Sequence, residues 1–209
     1  AFRQSDWARE QSVVFERIKA LDTSISRLYT VMLNDTELLL ESDSDYANRL
    51  FYNALAYYSL GTYLEHPTAD SLGSLFLNAA LEMQDKNGYF EEKQGWDSSY
   101  NGVSLSRGLE LYLLLPRNHS QNNVLASALV KCAHWQHSRI SKSGEIMTQG
   151  NTRVFPGGER FFGHEKTVDY KATLRGVYVM WVLSGESRWK ELAEKLNRNE
   201  KPSDSKSRQ

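Results

Sequence analysis

Between residues 144 and 175 the chain reads GEIMTQGNTRVFPGGERFFGHEKTVDYKATLR. This stretch carries Asn151, Arg153, Arg160, His164, Lys166 and Asp169. Arginine and lysine suit recognition of a carboxylate, sulfate or phosphate, arginine through a bidentate fork. His164 is the one histidine of this stretch and can move a proton near neutral pH. A second set precedes it, with Trp96, Asp97, Tyr100 and Asn101 at the opening of a helical segment. There a carboxylate can act as acid or base, while tyrosine and asparagine orient a sugar. Aromatic groups such as Trp96 and Tyr89 can stack on a sugar ring or cover the core. The plainer roles stand beside these. Asp97 or Asn101 can simply cap the helix, and the two loops can pair for stability.

Other chemistries are not indicated. Gly157, Gly158 and Gly163 match no phosphate-loop or dinucleotide fingerprint, so no nucleotide cofactor is expected. His134 and His137 stand three apart on a helical pattern, but no third ligand lies nearby in sequence, so no metal is expected. The single Cys132 excludes an intrachain disulfide and falls at a position expected to be buried. A net charge of −1 argues against a broad nucleic-acid surface. No apolar run approaches the roughly twenty residues that span a bilayer. With 40% hydrophobic and 24% charged residues, the 209-residue chain has the composition of a soluble globular domain.

The elements that must position these residues are helices. Trp7, Val14, Ile18 and Leu21, then Ile25, Leu28, Val31 and Met32, recur at helical spacing. Residues 46–63 are apolar on nearly every face, which predicts an inner helix. A more amphipathic outer helix follows from Pro67 to Met83 and stops at Gly88. The pairing repeats as 100–115 with 124–140, and again as 168–183 with 186–196. A single domain over 1–197 is expected, with 198–209 as a polar tail. Arg49, Arg107 and Arg175 recur 58 and then 68 residues apart. Each has Asp43, Asn101 or Asp169 six residues ahead, expected to serve as a helix cap or ion-pair partner. A two-helix unit near sixty residues predicts stacked αα-hairpins, and the 144–175 loop is the added length of the third unit.

The unit formed by Asn87-Gly88-Tyr89-Phe90, Gly95-Trp96-Asp97 and Tyr100-Asn101-Gly102-Val103 resembles hairpin connections of α/α-toroid proteins. These include six-hairpin glycosidases and the helical domains of polysaccharide lyases. The resemblance spans roughly residues 43–196 and about three hairpins, fewer than those families carry. It implies an all-α fold of stacked αα-hairpins forming a partial or small α/α toroid. It also implies carbohydrate chemistry, with a lyase pairing an Asn or Arg with a Tyr or His base.

The function expected is that of a carbohydrate-active protein, a lyase or hydrolase acting on an acidic polysaccharide. In it His164 or Tyr100 moves the proton and Asp97 assists. Arg153 and Lys166 bind the anionic group, and Asn101, Asn151, Arg160, Trp96 and Asp169 complete the binding set. The alternative is a non-catalytic helical domain that binds a glycan or a protein through the same face. A homo-oligomer or a partner domain would supply missing hairpins. A chain opening on Ala1 rather than Met favours an exported protein, periplasmic or secreted, over a cytoplasmic one.

Overall fold

The computed structural model describes residues 12–199, and Trp7 and the tail beyond Asn199 lie outside them. Eight helices make up the described chain. They are α1 (Ser12–Asn34), α2 (Thr36–Ser42), α3 (Ala47–Tyr63), α4 (Ala69–Glu82), α5 (Ser98–Leu114), α6 (Asn122–Ser138), α7 (Tyr170–Ser184) and α8 (Ser187–Asn199). A two-residue antiparallel hairpin, β1 (Arg160–Phe161) with β2 (His164–Glu165), lies in the long loop before α7. The fold is all-α. Among the described residues no helix is long and apolar enough to cross a membrane.

Helices pack with their sequence neighbours, α3 on α4, α5 on α6 and α7 on α8. The first members also meet one another, α3 on α5 and α5 on α7. The core therefore follows the apolar segments 46–63, 100–115 and 168–183. Phe51, Tyr57, Leu105, Leu111 and Val177 are buried there, with Phe76, Leu77, Leu125 and Trp189 contributed by the partner helices. Close approach depends on small residues. A Cβ on Gly102 would lie 2.0 Å from the Thr173 hydroxyl, so α5 and α7 touch backbone to side chain at that point.

Two expectations are refined. On α1 the buried face holds Tyr29 and Met32, while Leu21, Leu28 and Val31 point to solvent. The stripe facing the core is narrower than the hydrophobic content of the segment. The recurring arginines are not sunk in the core either. Arg49 pairs with Asp43 at 3.2 Å, but Arg107 and Arg175 share Glu110, at 2.5 and 3.1 Å, rather than reaching Asp169. Cys132 is buried, and burial pushes its thiol far above the usual range.

Candidate functional site

Three connections meet at one end of the helices. The backbone of the α2–α3 turn joins the α4–α5 loop through Ala47 N–H to the Glu91 carbonyl (3.3 Å) and Lys93 N–H to the Asp45 carbonyl (2.8 Å). The α4–α5 loop in turn holds the long α6–α7 loop. Thr152 donates its N–H to the Trp96 carbonyl (3.0 Å) and its hydroxyl to the Glu92 carbonyl (2.6 Å). The α4–α5 and α6–α7 loops are thus joined by hydrogen bonds to backbone carbonyls.

Asp97 is the joint. It is fully buried and caps α5 by accepting from the N–H groups of Ser99 (3.0 Å) and Tyr100 (3.1 Å) through Oδ1. Its Oδ2 accepts from the N–H groups of Arg153 (3.0 Å) and Val154 (2.7 Å) in the long loop. Burial still raises its carboxyl above the usual range, against these four donors. A carboxylate so engaged has no face toward a ligand. Asn151 works beside it, accepting from the Ser98 N–H (2.9 Å) and donating to the Val154 carbonyl (2.8 Å). Asn101 lies inside α5, accepting from the Phe90 N–H and donating to Gln136, both buried contacts. Asp169 caps α7 through Ala172 N–H (2.9 Å).

With the loop pinned, Arg153 is driven inward. Its guanidinium lies 3.7 Å from the Tyr100 ring centroid and 4.7 Å from that of Tyr46. Nη1 pairs with Glu92 at 2.6 Å, and the side chains are 1% and 0% exposed. The Lys93 and Gln94 backbones, at φ 53° and 63°, form the tight turn that follows Glu92. Burial pushes the Glu92 carboxyl up to about 7, although the Asn48 N–H and Arg153 oppose the shift. Burial also works against the charge of Arg153, but Glu92, Tyr100 and Glu159 outweigh it and hold the guanidinium above its ordinary pKa.

The outer layer of this cluster reaches solvent. Glu159 Oε2 receives Lys166 Nζ at 2.8 Å, Arg153 Nε at 3.2 Å and the Tyr100 hydroxyl at 3.4 Å. Lys93 Nζ stands 3.7 Å from Oε1. Lys166 also donates to the Tyr100 hydroxyl at 2.7 Å. Burial opposes ionisation of Glu159, but the Lys166 hydrogen bond and the charges of Arg153, Lys166 and Lys93 overcome it and hold the carboxyl down to about 2. Lys166 is raised, because Glu159 and Tyr100 outweigh its own desolvation.

The remaining sequence candidates stand further out. His164 is exposed on β2 opposite Phe161, beyond the turn formed by Phe162 and Gly163 at φ 48° and 82°. Arg160 is exposed and reaches Glu165 at 3.7 Å. Trp96 is 39% exposed, meets Tyr89 edge-on at 5.9 Å and abuts Gly150, where a Cβ would come within 2.9 Å of its ring. Sequence reasoning missed Glu92, Glu159, Tyr46 and Lys93. Glu92, Lys93 and Glu159 are charged loop residues that no helical spacing or capping pattern singles out. Their pairing depends on the loop crossing, which no local pattern encodes.

A groove of about 570 Å³ lies away from this cluster, between α7 and α8, lined by Leu174, Tyr178 and Trp181 together with the charged Arg175, Lys190 and Glu194. Its exposed lining is mainly apolar, whereas the loop end focuses cations and a hydroxyl on one carboxylate, so the loop end is the better candidate site. Comparison with family models, curated proteins and solved structures finds no match for this chain.

Proposed function

We propose that the protein is carbohydrate-active and that its loop end recognises an acidic saccharide. The observation that supports this reading is the half-buried Lys166–Tyr100 pair at 2.7 Å, set over the Arg153 guanidinium. It offers a cation, a hydroxyl and an aromatic edge together, which suits a sugar ring bearing an anionic group. Tyr46 and Trp96 add aromatic surface on the adjoining loops. We read the scaffold as an open stack of αα-hairpins, a partial α/α toroid, in which rigid helices present variable loops at one end.

A second reading, catalysis, is favoured by one feature. The Tyr100 hydroxyl accepts from Lys166 and donates toward Glu159, so it stands in a polar chain where a proton-handling group would be needed. In a lyase or hydrolase of an acidic polysaccharide, Tyr100 would carry that proton. Asp97 would act by holding the loop rather than by touching substrate, and Arg153 would hold the Tyr100 ring while facing the site through Nε and Nη2. His164 and Arg160 would contact substrate only where it extends across the β1–β2 hairpin.

The test is a glycan array probed with wild type and Lys166→Ala, followed by a turnover assay on every hit. Lys166 is chosen because it reaches solvent, whereas truncating buried Arg153 would perturb the fold. Selective binding of acidic glycans that Lys166→Ala loses supports the reading, and turnover separates an enzyme from a lectin. Binding to no glycan would sink it and leave a helical interaction domain with a protein partner.

A further inference from the structure

Within the proposed saccharide face, one group occupies the place a ligand should take. Glu159 Oε2 sits among Arg153 Nε (3.2 Å) and Nη2 (3.1 Å), Lys166 Nζ (2.8 Å) and the Tyr100 hydroxyl (3.4 Å). Lys93 closes the other oxygen at 3.7 Å. These donors come from three places in the chain, and their shared focus is a single carboxylate oxygen. The carboxylate itself arrives on a short return of the chain. Gly157 takes φ 82°, the Gly158 N–H bonds the Phe155 carbonyl (2.8 Å), and the Glu159 N–H bonds the Arg153 carbonyl (2.9 Å). Nothing lies within 4 Å of a Cβ placed on Gly157, so the tip of this return borders open space.

Arg153 is fixed independently of Glu159, by Glu92, Tyr46 and Tyr100. The cradle therefore keeps its principal donor when the Glu159 carboxylate leaves. Without it, Glu92 is the one ion-pair partner left to Arg153, Lys166 and Lys93 among the described residues, and the cradle carries an excess of positive charge. Such a preorganised fork of arginine, lysine and hydroxyl donors matches a planar carboxylate.

We propose that this cradle is a carboxylate-binding subsite, that Glu159 is its internal stand-in, and that the carboxylate of a uronic-acid residue takes the same position by displacing it. This rests on the reading of the loop end as an acidic-saccharide site, which it sharpens from any anion to a carboxylate.

The experiment is chemical rescue of Glu159→Ala, with melting temperature recorded against sodium acetate and against sodium chloride at equal ionic strength. Acetate is expected to raise the melting temperature of the variant beyond chloride, and to leave wild type at its chloride value. Equal responses to the two salts in the variant overturn the subsite, whatever saccharides bind. Rescue by acetate with no binding of oligouronates to either form keeps the subsite and removes the saccharide reading. Rescue together with at least tenfold tighter oligouronate binding by the variant supports both. If Glu159→Ala does not fold, Glu159→Ser vacates the same space with a small polar side chain, and the same comparison of salts decides.

Discussion

Arg153 and Glu92 form an ion pair at 2.6 Å from which solvent is almost excluded. Taking two charges out of water is costly, and the attraction between them repays it only with good geometry and further hydrogen bonds. Here the geometry is built by the loops. Asp97 fixes the backbone at Arg153, the Asn48 N–H supports Glu92 at 2.9 Å, and two tyrosine rings flank the guanidinium. The pair joins the two loops at the level of side chains, as Thr152 does at the level of backbone.

Arg153→Ala should accordingly behave first as a stability variant. It leaves Glu92 buried without its cation, a change that typically costs about 3–5 kcal/mol. The double variant Arg153→Ala/Glu92→Gln should lose less than Arg153→Ala and Glu92→Gln added together, because no unpaired charge is then stranded. Urea denaturation of the four proteins measures the coupling. A loss below about 1 kcal/mol for Arg153→Ala would show that the pair does not hold the loops.

Asp97 joins the same loops through its carboxylate, whose partners are all backbone N–H groups. Asp97→Ala removes a helix cap, worth about 1 kcal/mol, and strands the N–H groups of Arg153 and Val154, each costing roughly 1–3 kcal/mol. Amide exchange should accelerate at Arg153 and Val154 as well as at the start of α5. Asp97→Asn retains one carbonyl oxygen and can serve only one pair of donors well. Acceleration confined to α5 in the alanine variant would mean that the long loop is held elsewhere.

Stability should respond to pH through two carboxylates of opposite sign. The Glu159 carboxyl is held at about 2, below its ordinary 4.5, so its contribution is present above 4.5 and is lost as pH falls toward 2. The Glu92 carboxyl is raised to about 7, so the folded state binds its proton more tightly than the unfolded chain does. Its contribution is greatest below 4.5 and declines as pH rises through 7. Glu159→Gln should flatten the acid limb of a melting-temperature profile, and Glu92→Gln the limb between 4.5 and 7. A Glu92→Gln profile that keeps the second limb would assign that limb to another group.

The helical order was legible because burial imposes a period on the sequence. The spans 46–63, 100–115 and 168–183 correspond to α3, α5 and α7 within a few residues. Caps were half legible. Asp169 caps α7, but α5 is capped by Asp97 rather than by Asn101, which turns inward to Phe90 and Gln136. The repeat of Asp43, Asn101 and Asp169 ahead of three arginines marks neither equivalent hydrogen bonds nor equivalent places, since Asp43 lies well before α3, Asn101 inside α5 and Asp169 directly before α7. The site was least legible where it depends on loops crossing. Residue types alone gave His164, Tyr100 and Asp97 as proton-handling groups and Arg153 and Lys166 as anion-binding ones. Their burial and partners divide them into a joint, a buried cation, an accessible pair and an exposed histidine, and that division is a property of packing.

Tyr100 separates the two functional readings most cleanly. Tyr100→Phe keeps the ring stacked 3.7 Å from the Arg153 guanidinium and removes only the hydroxyl that accepts from Lys166. Lys166 retains Glu159 at 2.8 Å, so the stability cost should stay near that of one hydrogen bond, about 0.5–1.5 kcal/mol. If the protein turns over an acidic polysaccharide with Tyr100 moving the proton, Tyr100→Phe should lower kcat by about 100-fold or more while KM changes little. In a purely binding protein no turnover exists to lose, and affinity should fall by about tenfold, the equivalent of one hydrogen bond. Turnover that survives Tyr100→Phe would move the proton transfer to another group, and exposed His164 on β2 would be the residue to change next.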